Sequence, residues 1–325
     1  MQREKAIHPK TKDFISQKPY FATVQHAQKT VIIIAGPTAA GKTSVAIEIA
    51  KHLATEIISA DSRQCYKELN VGVARPSEEE LKAVPHHFIA SHSIQQKVTA
   101  ATFEEYALQK AAELFQQHDT VVMVGGTGLY IKAFAEGMDP IPHVPETVHK
   151  EIVSAYREKG IEWLREEIKI QDPLFWQKGE TQNPQRMMRA LEVAKAAGQS
   201  IFSFQKGEKK HRDFNVIKIA LELPKETLHR NINTRVDKMM NEGLLEEVKS
   251  LQPYQYLNAL QTVGYKELFA HLKNEVSLNE AVEAIKQNTR QYAKRQLTWF
   301  RKDKKYSWCA PLAEDVIRLL AQRGF

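Results

Sequence analysis

The fold is decided by Val31-Ile32-Ile33-Ile34-Ala35-Gly36-Pro37-Thr38-Ala39-Ala40-Gly41-Lys42-Thr43. Its first five residues are a mostly β-branched run without polar alternation, the pattern of a strand buried on both faces of a parallel sheet. The next eight fit G-x-x-x-x-G-K-[ST] in full, and beyond them Val45, Ile49 and Leu53 recur at helical spacing. Strand, glycine-rich loop and helix in that order is the context in which such a loop cradles phosphate. Gly36, Pro37, Thr38, Ala39, Ala40, Gly41, Lys42 and Thr43 are therefore the candidate diphosphate-binding residues. The glycines let backbone N–H groups turn toward phosphate oxygens, the helix N-terminus adds positive potential, Lys42 neutralises charge, and the Thr43 hydroxyl is a ligand for Mg2+. The same cradle serves ATP, GTP and other diphosphates, so residues elsewhere must decide what it holds.

Working outward, Glu56 to Ser59 reads as a second buried strand ending near Asp61, and Val121 to Val124 as a third, before Gly125. A helix is expected over residues 103–115 between them. Strands alternating with helices predict an α/β fold of the P-loop type, a parallel sheet covered on both faces with ligands at the carboxyl ends of its strands. Pro140, Pro142 and Pro145 then break the pattern. Residues 146–205 read as helices, including 162–170 and 184–197, and 214–223 returns the chain to the sheet before Pro224 opens a mainly helical remainder. The expected organisation is a P-loop core from residues 30–140 and 212–325, interrupted by a helical insertion over 141–211 and preceded by a flexible basic lead-in, 1–29.

The net charge of +7 is unevenly spread: +4 on residues 1–30, +5 on 178–212, +5 on 280–305, and −7 on everything else. Local basicity on an otherwise acidic chain suits a polyanionic partner. No stretch approaches the roughly 20 apolar residues of a membrane span, and the N-terminal segment has the apolar core of neither a secretory signal nor the acid-free composition of a transit peptide. A soluble cytoplasmic protein is expected. Cys65 and Cys309 form no CxxC pair, so neither a disulfide framework nor a zinc cluster is indicated, and both are expected to be free thiols.

The third strand ends in Gly125, Gly126 and Thr127, where many nucleotide hydrolases and kinases place a magnesium-holding aspartate. The acid stands instead after the second strand, in Asp61, Ser62, Arg63 and Gln64. Together with Gly36 to Thr43, Tyr66, Tyr130, Pro184 to Leu191, Leu228 through Arg235 to Met239, Val263 to Tyr265 and Arg290 to Trp299, this series resembles the tRNA dimethylallyltransferase family in both content and order, over about residues 30–308.

The resemblance implies transfer of a dimethylallyl group from dimethylallyl diphosphate to the exocyclic N6 of the adenine 3′ to the anticodon of tRNA, with diphosphate released. Asp61 is the candidate general base, since a carboxylate hydrogen-bonded to a weakly nucleophilic aromatic amine can take its proton as the new bond forms. Lys42, Mg2+ on Thr43 and, by resemblance, Arg235 would stabilise the leaving group, and Thr127 would touch substrate near the diphosphate. The second arginine that the family pairs with Arg235 falls here on Asn231, with Arg230 one place earlier. The adenine must leave its stack to be reached. Asp61, Ser62, Arg63 and Gln64 are expected to read it, and Gln185, Arg186, Met187, Met188 and Arg189 to meet the tRNA. On the last long helix Arg290, Lys294 and Arg301 lie within ~40° of one another, a face suited to backbone phosphates. Tyr292 and Trp299 are aromatic at helical spacing, which more often means core than base stacking.

The expected partners are thus the tRNA anticodon stem-loop and dimethylallyl diphosphate; nothing implies an oligomer, and a monomer is expected. Some eukaryotic members carry a C-terminal zinc finger, whereas this chain has only Cys309 near its end and is closer to the bacterial type. An adenylate isopentenyltransferase acting on free nucleotides is disfavoured by the tRNA-type motifs at Gln185 to Arg189 and Val263 to Tyr265. A small-molecule kinase is disfavoured by the missing strand-end acid, and a non-catalytic RNA-binding protein leaves Lys42 and Asp61 without purpose.

Overall fold

The computed structural model describes residues 28–325; of the expected lead-in, residues 1–27 lie outside the described residues. In chain order the elements are β1 (Thr30–Ala35), α1 (Lys42–His52), β2 (Ile57–Ser59), α2 (Glu78–Ala83), β3 (His86–His87), α3 (Ala100–Leu114), β4 (Thr120–Gly125), α4 (Gly128–Glu136), α5 (Glu146–Gln171), α6 (Pro173–Lys178), α7 (Pro184–Ala197), β5 (Asn215–Leu221), α8 (Lys225–Asn241), α9 (Leu244–Ser250), α10 (Tyr265–Leu272), α11 (Leu278–Lys302), β6 (Ser307–Cys309) and α12 (Ala313–Ala321).

The strands form one sheet in the order β3-β2-β4-β1-β5-β6, and every pairing is parallel. Successive side chains of β1 point to opposite faces, as the pleat requires. Ile32 and Ile34 join Val45, Ile49 and Val316 under α1 and α12. Val31, Ile33 and Ala35 join Phe103, Phe134 and Phe300 on the other face. Both faces are covered, which is why the strand reads as an unbroken apolar run rather than an alternation.

Register brings the strand ends level. Ala35 pairs with Gly125 on one side and Ala220 on the other, while the Ala60 N–H donates to the Val124 carbonyl at 2.7 Å. The phosphate loop, Asp61 and Thr127 therefore emerge from one rim of the sheet, where an open parallel sheet collects its ligands.

Residues between β4 and β5 build a core of their own. Ile152, Leu164, Ile168, Met187 and Leu191 pack together with Phe175 and Ile201, backed by Ile141 and Val144 from the proline-rich entry. Helix α5 breaks at Gly160, whose φ of 74° no helix permits, so the helix expected over 162–170 is its second half. The chain returns under polar restraint: Arg212 donates to Glu104 at 2.8 Å and to the carbonyls of Ala133 and Phe134, and the Lys210 N–H donates to the Glu136 carbonyl at 2.9 Å. Two strands escape a reading of local pattern. β3 (His86–His87) and β6 (Ser307–Cys309) lack the β-branched apolar run that marks β2, and exist by pairing with the edges of β2 and β5.

Candidate active site

The loop after β1 closes on itself. Gly41 takes φ 80°, which turns the chain into α1 and leaves the first N–H groups of that helix facing the loop. The Lys42 Nζ donates to the Pro37 carbonyl at 2.7 Å. Thr43, in the first turn of α1, engages its hydroxyl with no side-chain partner among the described residues. Asn231 of α8 donates from Nδ2 to the Ala39 carbonyl at 3.4 Å. The position where the family pattern expects a second arginine thus braces the loop, whereas Arg230 points to solvent.

Beside it, Asp61 splits its carboxylate between two tasks. Oδ1 accepts the backbone N–H groups of Arg63 at 2.8 Å and Gln64 at 3.2 Å, fixing the turn after β2. Oδ2 takes no hydrogen bond from the described residues, and Asp61 lines the main cavity. Turn capping and a free basic oxygen are combined in one side chain. Thr127, the residue before α4, does not cap that helix with its side chain. Its Oγ1 accepts the Ser62 N–H at 3.0 Å and lies 3.3 Å from the Ser62 hydroxyl, tying the end of β4 to the acidic turn.

The cavity measures about 520 Å³ and reaches Thr38 at the loop, Asp61, Ser62 and Arg63 at the turn, Arg235 on α8, and Tyr292 on α11. Lys42 of the loop is electrostatically coupled to Arg235 and Asp61 of the cavity. Enclosure, then the neighbouring Arg235 cation, pull the Lys42 ammonium down to about 8, with Asp61 acting the other way. Burial lowers Arg235 as well, offset by the same Asp61 carboxylate; a guanidinium remains charged nonetheless. Tyr292 and Trp299, expected in the core, are 37% and 39% exposed; partial desolvation against the cavity, then Asp61, push the Tyr292 phenol up to about 12, so it is a neutral hydrogen-bonding group at physiological pH. Among the groups that line the cavity, the cations Arg63, Arg235, Lys266 and Arg295 outnumber the carboxylates Asp61 and Glu267, which leaves it basic.

The remaining expected residues are placed differently. Gln64 is absent from the cavity lining. Its amide Nε2 is spent on the carbonyls of Val73 and Ala74, at 3.2 and 2.9 Å, so it holds a wall. Met187 and Met188 are buried in the insertion core and cannot meet a macromolecule; only Gln185 and Arg186 of that motif are exposed, and Arg189 lies half-buried. Arg186 pairs with Glu180, and Arg189 with Glu192. Arg290 donates to Asn233 of α8 at 2.7 Å, while Lys294 is exposed away from the cavity. Helix α11 instead turns Asn288, Gln291, Tyr292 and Arg295 to the cavity. Arg295 went unremarked in the sequence because its neighbours Lys294 and Gln296 give no period; its cation lies 5.7 Å from the Tyr292 ring. Gln261 to Gly264 also line the cavity, next to the Val263 to Tyr265 motif.

No group of three or more His, Cys, Asp or Glu side chains among the described residues forms a metal cage. The donor set still fits Mg2+ bound with a diphosphate, because that ion keeps several waters and takes its anionic ligands from the phosphates, asking the protein for little more than the Thr43 hydroxyl.

A parallel sheet with a glycine-rich G-x-x-x-x-G-K-[ST] loop after β1, a carboxylate after β2, one strand beyond the neighbouring β4, and a basic cavity on the same rim has the architecture of a P-loop-fold enzyme. The family model described as IPP transferase matches residues 64–303. The chain belongs to the IPP transferase family. It is 46% identical over 278 residues to the tRNA dimethylallyltransferase of Christiangramia forsetii, covering 86% of this chain and 92% of that protein, and 45% identical to that of Flavobacterium johnsoniae, covering 86% and 93%. Among solved structures it is similar to the tRNA isopentenylpyrophosphate transferase of Bacillus halodurans, with a TM-score of 0.67, 31% identity, and 91% of this chain and 97% of that one covered. A eukaryotic dimethylallyltransferase acting on tRNA matches with a TM-score of 0.66 and 26% identity, over 83% and 69% of the two chains.

Proposed function

We infer that this protein is a tRNA dimethylallyltransferase, moving the five-carbon group of dimethylallyl diphosphate onto N6 of the adenine 3′ to the anticodon. The observation that carries the chemistry is the cavity shared by Asp61, Arg235 and the phosphate loop at Thr38. Lys42, Arg235 and the loop amides hold the diphosphate and its developing charge. The adenine, taken from its stack, enters from the Tyr292 side with its amine on Asp61 Oδ2. The N6 lone pair attacks the primary carbon, the C–O bond breaks with its electrons on pyrophosphate, and the amine proton passes to Asp61. Thr43 would offer its hydroxyl to Mg2+, which would supply neutralising charge. Thr127 acts through Ser62 to keep the turn in place.

The tRNA side of the reading draws on Arg63 and Arg295 in the cavity and on the exposed Gln185 and Arg186 of the helical insertion at 141–211. No described helix is long and apolar enough to cross a membrane.

The test is transfer of labelled dimethylallyl diphosphate to unmodified tRNA, with AMP in parallel. Label is expected in tRNA alone; label in AMP would shift the acceptor to free nucleotides. Asp61→Asn keeps an oxygen for the turn and removes the base. It should lower kcat by about 10²–10⁴, and an unchanged kcat would remove Asp61 from proton transfer.

A further inference from the structure

We propose that Gln296 of α11 is a positioning residue for the diphosphate donor, clamping the phosphate loop to the end of β4. The inference rests on the reading that this loop holds the donor.

The side chain is buried, 6% exposed, and uses both ends of its amide. Oε1 accepts the Thr38 N–H at 2.8 Å, and Nε2 donates to the Gly126 carbonyl at 2.9 Å. Which end is which follows from the partners, since an N–H needs an acceptor and a carbonyl a donor. The pairing ladder between β1 and β4 ends at Ala35 and Gly125. Beyond it the chain makes no direct bond between Thr38 and the Gly126 turn, so this one amide joins them. Gly126 is shaped for the contact: a Cβ there would lie 2.2 Å from Gln296 Nε2 and 3.5 Å from the Gly36 carbonyl.

A buried amide satisfied only by general packing would carry no functional consequence. Here one partner is a main-chain donor inside the loop that must present its other N–H groups to phosphate, and α11 places Tyr292 one turn earlier in the acceptor cavity beside Asp61. The clamp therefore sets the spacing between the donor's cradle and the wall against which the acceptor is seated. A shift of 1 Å at such a junction is expensive for a reaction that depends on alignment.

Gln296→Met keeps similar volume and leaves both partners unpaired; Gly126→Ala displaces the amide while leaving α11 unmutated. Each is to be compared with the wild type for pyrophosphate binding by calorimetry, for KM of donor and of tRNA separately, and for thermal unfolding. In both variants pyrophosphate Kd and donor KM should rise by about tenfold or more, with tRNA KM within about twofold. Folded variants with unchanged pyrophosphate Kd, or an equal rise in both KM values, would overturn the clamp, the second outcome marking general loosening. Wild-type protein that binds pyrophosphate and transfers no prenyl group would overturn the functional reading instead, and the pyrophosphate titrations would still decide for or against the clamp.

Discussion

At the scale of single residues, the site is governed by where charges are kept. Lys42 sits between an arginine that disfavours its proton and an aspartate that favours it, and enclosure tips the balance to about 8 from an ordinary 10.5. The sign follows from linkage. Below about 8 the folded and unfolded chains both hold the proton and the cost of burying it is fully present. Between about 8 and 10.5 the folded protein releases it first and that cost is relieved. Anion binding runs the other way, because pyrophosphate needs the ammonium. Metal-free pyrophosphate affinity should therefore fall as pH rises through about 8, and Lys42→Arg should move the fall upward out of that range. Calorimetric titrations between pH 7 and 9.5 decide it; a flat profile in the wild type would mean that Lys42 is not the titrating contact.

Elements matter at the next scale because the cavity walls are loops held from behind. Glu247 of α9 accepts the N–H groups of Asn70, Val71 and Gly72 at 3.1, 2.7 and 3.0 Å and the Tyr265 hydroxyl at 2.6 Å. Gly72 and Val73, just beyond, line the cavity, and Gln64 hangs from the Val73 and Ala74 carbonyls. Removing the carboxylate strands three backbone donors at a partly exposed site, so Glu247→Ala should cost about 2–3 kcal/mol, measured as a lower urea midpoint at unchanged slope. An unaltered midpoint would show that water replaces the carboxylate freely. The same wall explains why Gln64, though only three residues from Asp61, serves support: its side chain is hydrogen-bonded to the carbonyls of Val73 and Ala74.

Across the whole molecule, the helices between β4 and β5 have an apolar core of their own, separate from the core on the face of the sheet. Met187 is fully buried in the former, a core that includes no residue of the loop between β1 and α1. Met187→Ala should destabilise the insertion by about 2–5 kcal/mol, lower the temperature of unfolding in a scan, and leave pyrophosphate affinity intact while tRNA binding weakens. Loss of pyrophosphate affinity in the folded variant would show that the two cores are not independent.

The central strands, the eight-residue loop motif, Asp61 at a strand end and the helices that follow the three prolines are legible in the amino-acid order, because each is a local signal. The resemblance that identifies Arg235 is also a matter of order along the chain. What no local pattern carries is the direction of side chains brought together from afar. The face that α11 presents, with Tyr292 and Arg295 inward and Arg290 spent on Asn233, follows from packing against α8. The burial of Met187 and Met188 follows from closure of the insertion's core. Edge strands β3 and β6 and the contacts of Glu247 and Gln296 join residues up to 258 positions apart, and their free energy is gained only when the sheet and its covering helices have assembled.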